Sequence, residues 1–73
     1  MITFVEARND IIEAFASFGY PTIATLGFRV GKNAMIESLA TIHMDAVNSG
    51  ADRTKSARRL CHAELERIGA PII

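Results

Sequence analysis

Arg53, Lys55, Arg58 and Arg59 place four of the chain's eight basic residues within seven positions, and His62 follows about one helical turn later. Side chains of this type at this spacing bind anions. Guanidinium and ammonium groups donate charge-assisted hydrogen bonds to carboxylates and phosphates. On a helix Lys55, Arg59, His62 and Glu66 share one stripe, with Arg58 flanking it. The run also opens a predicted helix after Asp52, so its cations oppose the helix macrodipole at a cost of about 0.3–1 kcal/mol at low salt. Exposed amides at the same helix start attract anions. The sequence therefore predicts a contact surface of Arg53, Lys55, Arg58, Arg59 and His62, suited to phosphate or to an acidic protein surface.

The remaining reactive side chains do not assemble into a familiar set. His43, Cys61 and His62 lack metal-ligand spacing, with no Cys-x-x-Cys and no His-x-x-x-His. Cys61 falls on an apolar stripe and reads as a buried, inert thiol. His43 borders an apolar face and reads as a packed histidine. A Cys–His nucleophile needs a third, orienting group and a pocket, and the sequence points to neither. Glu6, Asp10 and Glu13 read as a solvated stripe rather than paired catalytic carboxylates. Gly27-Phe-Arg-Val-Gly31-Lys32-Asn33 has one residue too few between its glycines for a phosphate loop, and Asn33 stands where a hydroxyl is needed. Ile23–Phe28 approaches a helix-turn-helix turn, but Ala24 is three rather than four residues before Gly27. These readings predict no enzyme, metal or cofactor.

Composition sets the frame for these residues. A chain of 73 residues holds one domain, residues 1–73, and buries only about 60% of its unfolded surface. It is 49% hydrophobic and 22% charged, a globular balance. Formal net charge is zero and the pI is about 6.7, which excludes a protein that coats nucleic acid by charge alone. Residues 1–45 carry five acids against three bases, so the basic run stands out locally. The single cysteine allows no internal disulfide and suits a reducing compartment. Residues 1–6 lack the pattern of a signal peptide, and no apolar stretch is long enough to span a bilayer. The expectation is a soluble protein of the cytoplasm.

Periodicity then predicts the elements that position the basic run. Thr3 and Glu6 form a capping-box pattern for a helix over 4–18, with Phe4, Ile11, Phe15 and Phe18 as its apolar face and Gly19 as its stop. Residues 22–31 alternate apolar and polar positions and read as an extended, β-like connection, with a short helix opened by Pro21 as the alternative. A second helix runs over 32–48 with Gly50 as its stop, its broad apolar face formed by Met35, Ile36, Leu39, Ile42, Ala46 and Val47, with Glu37, Thr41, Asp45 and Asn48 opposite. A third runs from Arg53 to Ile68, with Asp52 as N-cap, Gly69 as stop, and Ala57, Leu60, Cys61, Leu65 and Ile68 facing the core. The predicted fold is a small, mainly α domain of three helices. Two charges intrude on its apolar faces, Arg8 in the first helix and Glu64 in the third. Either they pair across the two helices, or each reaches solvent at the rim of the core.

In length and general character the whole chain resembles the small phage-encoded regulators that seize host machinery. In particular it resembles the inhibitors of bacterial RNA polymerase of the type found in Xanthomonas phage. That resemblance implies a non-enzymatic protein of the bacterial host cytoplasm that binds the large polymerase subunits, displaces the sigma factor, and modifies initiation and termination. No motif carries over residue by residue, and the contact surface at Arg53–His62 rests on the residues alone. The alternative is a DNA-binding regulator that reads through the basic third helix as a dimer. A third possibility is a homo-oligomeric structural subunit.

Overall fold

The computed structural model describes residues 1–22 and 32–72. Three helices follow in order: α1 (Phe4–Ser17), α2 (Lys32–Asn48) and α3 (Arg53–Ile68). Each packs against both others, and no strand occurs among the described residues. The expected mainly α, three-helix domain is the observed one. The extended connection expected at 22–31 falls, apart from Thr22, outside the described residues.

Local chemistry explains the helix limits. Thr3 accepts from the Glu6 amide at 3.2 Å while Glu6 accepts from the Thr3 amide at 2.9 Å, so two orphan donors are satisfied reciprocally. The Thr3 amide holds the Glu6 carboxyl below its ordinary range. Asp52 caps α3 by accepting from the Lys55 amide at 2.8 Å. At the other end of α2, Gly50 sits at φ 108°, a left-handed region closed to most side chains. There its amide donates to the Val47 carbonyl and the Ala51 amide to that of Ala46, a Schellman closure. The same pair of bonds closes α1 through Gly19 and Tyr20, and α3 through Gly69 and Ala70.

The core is shared by all three helices. α1 contributes Ala7, Ile11, Ala14 and Phe15, with Phe18 just beyond its end. α3 contributes Ala57, Cys61 and Leu65. Each large aliphatic or aromatic side chain so buried stabilises by about 1.5–3 kcal/mol relative to exposure. Two predicted faces need correction. Phe4 was expected in the α1 core stripe but is 36% exposed. Ile2 closes that end of the core instead, because Asn48 clamps its backbone: the Ile2 amide donates to Asn48 Oδ1 at 2.8 Å and Asn48 Nδ2 to the Ile2 carbonyl at 3.2 Å. The inward face of α2 is also turned from the expected one. Ile36, Leu39, Ala40 and His43 are buried, while Ile42 is 50% exposed. A histidine tolerates the centre of that face because both its ring nitrogens find partners.

Neither misplaced charge pairs with the other. Arg67, three residues on, takes Glu64 in a two-pronged contact, with its Nε donating to Oε1 at 3.0 Å. Neither a hydrogen bond nor an ion pair joins Arg8 to Glu64 among the described residues. A pair within one helical turn needs less ordering than one between helices, and Glu64 is low enough on α3 to keep 12% of its side chain in water. Tyr20 donates its hydroxyl to the Pro71 carbonyl, which ties the chain after α3 to the end of α1.

Candidate functional site

α3 carries the whole predicted contact surface, and its two flanks form grooves. The α1–α3 groove encloses about 230 Å³ and is lined by Asp10, Glu13, Ala14, Ser17, Arg53, Thr54, Ala57 and Arg58. The α2–α3 groove encloses about 300 Å³ and is lined by Ile42, Ala46, Ala51, Asp52, Lys55, Ser56, Arg59 and Leu60. One turn of helix separates Lys55 from Arg59, so both cations stand on the same edge of the second groove.

The five predicted residues part company here. Arg53 faces inward toward α1. Its Nε donates to Asp10 Oδ2 at 2.7 Å and its Nη2 to Oδ1 at 3.0 Å, a bidentate pair. Asp10 therefore balances the cation that sits worst with the α3 dipole. Arg58 lies over the Phe18 ring, 5.4 Å from its centroid, at the end of α1. His62 packs edge-on against the same ring at 5.7 Å and pairs with Glu66 at 2.9 Å. Lys55 and Arg59 have side chains with no hydrogen-bond or ion-pair partner among the described residues, and both are exposed. The basic run thus divides into three side chains already engaged and two without a partner among the described residues.

Behind Arg53 lies a buried polar chain that links the three helices. His43 of α2 is 0% exposed. Its Nε2 lies 2.8 Å from Asp10 Oδ2 of α1, and its Nδ1 lies 2.9 Å from Ser56 Oγ of α3. A carboxylate only accepts, so Nε2 carries the hydrogen. The Ser56 hydroxyl donates to Nδ1 when the ring is neutral, and accepts from it when the ring is charged. The hydrogen bond to Arg53 is the chief cause that holds the Asp10 carboxyl below the usual aspartate range; burial opposes it and His43 adds to it. No buried side-chain nitrogen or oxygen among the described residues lacks a partner.

Asp10, His43 and Ser56 have the residue types and the hydrogen-bond order of a hydrolytic triad, and in this fold they join the three helices. His43 is 0% exposed and Ser56 is buried, so the hydrogen-bonded row Asp10–His43–Ser56 lies beneath the surface. Arg53 draws charge away from the carboxylate that would support the ring. Cys61, fully buried, donates to the Ile11 carbonyl at 3.5 Å, and burial pushes its thiol up to about 12. That places it far from the thiolate a nucleophile needs. No cluster of three or more His, Cys, Asp or Glu side chains suited to a metal exists among the described residues. Nor is any helix among them long and apolar enough to cross a membrane.

Sequence reasoning missed the joint because it read Asp10 as solvated. The signal was present: Asp10 lies three residues after Ala7 and four before Ala14. Small residues on both sides let neighbouring helices approach closely enough to reach it. His43 similarly continues the row through Ile36, Leu39 and Ala40.

The chain matches no protein-family model, no curated protein and no solved structure.

Proposed function

We propose that the protein is a non-enzymatic binding module that docks on a larger protein through the outer face of α3. The observation that carries this reading is the pair Lys55 and Arg59, exposed one turn apart and without a side-chain partner among the described residues. Charge in that position steers encounter and sets specificity more than it adds affinity. Arg53 has the lesser part in this reading, because two of its N–H donors already hold Asp10. Arg58 and His62 contribute as a ledge built on Phe18. The resemblance to small phage regulators makes the large subunits of bacterial RNA polymerase the first partner to test, with sigma displacement and inhibited initiation as the effect.

The test uses purified bacterial RNA polymerase, core and holoenzyme, with the protein immobilised. The K55E/R59E variant should lose the complex while its circular dichroism is unchanged, and R53Q should keep the complex at reduced thermal stability. Retention of binding by K55E/R59E would overturn the docking face. Absence of binding by the native chain would remove polymerase as the partner. A DNA-binding protein would instead bind duplex DNA and lose affinity steeply between low and moderate salt, which the same immobilised protein reads directly.

A further inference from the structure

The two grooves beside α3 differ in what they ask of an occupant. The α1–α3 groove carries both signs of charge, with Asp10 and Glu13 facing Arg53 and Arg58, and it has satisfied its own strongest pair. The α2–α3 groove sets two cations, Lys55 and Arg59, against the single carboxylate of Asp52, beside the apolar side chains of Ile42, Ala46, Ala51 and Leu60. Ile42 is half exposed at one wall, Leu60 is partly buried at the other, and Ala46 and Ala51 leave the space between them open. Ser56 lines the same groove but its hydroxyl is held by His43, so an apolar group entering there does not strand it. Lys55 and Arg59 stand beside this groove about 6 Å apart along the helix.

We propose that the α2–α3 groove binds an acidic amphipathic helix of a partner protein. Its leucine-like side chains would enter between Ile42 and Leu60, and two carboxylates one turn apart would meet Lys55 and Arg59. This rests on the docking face argued above and names the chemistry of its partner. A helix fits because its i and i+4 side chains repeat at the same rise as Lys55 and Arg59. Carboxylates fit because Lys55 and Arg59 have no ion-pair partner among the described residues and outnumber Asp52 on the groove lining, and an apolar row fits because Ile42, Ala46, Ala51 and Leu60 line the same groove. Buried apolar contact then supplies affinity, and the carboxylates fix the direction and register of the helix.

The test is a nitrogen-15 NMR titration of the full chain with a synthetic helical peptide of about 20 residues, long enough to hold helix in water. The peptide carries leucines at i and i+4 and glutamates at i+1 and i+5, repeated. Shift changes should centre on Ile42, Ala46, Lys55, Arg59 and Leu60. Glutamine in place of the glutamates, or I42D in the protein, should each weaken binding by about tenfold or more. Ile42 is exposed enough for I42D to fold, and its spectrum verifies this. No shifts, or shifts confined to the α1–α3 groove, overturn the proposal. Binding that K55E/R59E abolishes and I42D leaves unchanged keeps the docking face but overturns the amphipathic helix as its occupant. A duplex DNA arm that shifts Lys55 and Arg59 more strongly than the peptide overturns it as well.

Discussion

Asp10 on α1 and Arg53 on α3 form a bidentate ion pair across 43 residues of sequence, and the same Asp10 oxygen also receives His43 from α2. One carboxylate thereby holds three helices. The Asp10 side chain is 16% exposed and that of Arg53 47%, so the pair is a lid on the buried histidine rather than a buried ion pair. Asp10 takes two of the five N–H donors of Arg53, which sets it apart from Lys55 and Arg59, whose side chains have no partner among the described residues.

Replacing His43 with alanine should be among the most damaging single changes. It opens a cavity where three helices meet and leaves Ser56 without its partner, for a loss of about 2–4 kcal/mol. Urea denaturation followed by circular dichroism measures it. A loss under about 1 kcal/mol would mean that the joint contributes little to the fold.

Acid should loosen the same joint. The folded-state value of Asp10 is lowered, chiefly by its hydrogen bond to Arg53. A lowered carboxylate contributes stability that is present above its unfolded value of about 3.9 and is lost as pH falls through the lower folded value. The stability gap between the native chain and D10N should therefore be widest at neutral pH and shrink as pH falls below about 4. A gap that stays constant through this range would show that the Asp10 charge plays no part.

Cys61 should be silent in the folded protein. With its thiol pushed up to about 12 by burial, it carries almost no thiolate at neutral pH. A thiol reagent at mild alkaline pH should react only after denaturant is added, at the rate of an ordinary cysteine. Rapid reaction of the native chain would contradict the packing of α1 against α3.

Loss of the α3 cap should be felt at the docking face. D52A removes the acceptor for the Lys55 amide and should cost about 1 kcal/mol. Thermal unfolding reads the loss. Amide exchange should rise first at the start of α3, because the cap acts within a single turn. Uniform exchange along the whole helix would point to a global rather than a terminal effect.

The parts of this protein legible from sequence are those set within about four residues. Thr3–Glu6, Asp52–Lys55 and the glycines after each helix declare themselves by type and spacing, because capping is a contact between near neighbours. The core stripe of α3 was legible for a related reason: Ala57, Cys61 and Leu65 repeat at helical intervals with no competing face.

Tertiary structure decided which way each helix turned. Each residue advances the helix face by about 100°, so a small rotation exchanges Ile42 for His43 at the core and brings Asp10 under Arg53. The contacts that settle this rotation join residues 13 to 51 positions apart: His43 with Ser56, Asp10 with His43 and Arg53, Ile2 with Asn48, and Tyr20 with Pro71. Single-helix periodicity carries no term for partners so distant. Sequence alone established three helices, the N-caps of the first and third, and a local excess of positive charge. Packing established that Arg53 belongs to the fold and that Lys55 and Arg59 face outward beside an open groove, because a buried histidine in α2 must be satisfied from both neighbouring helices.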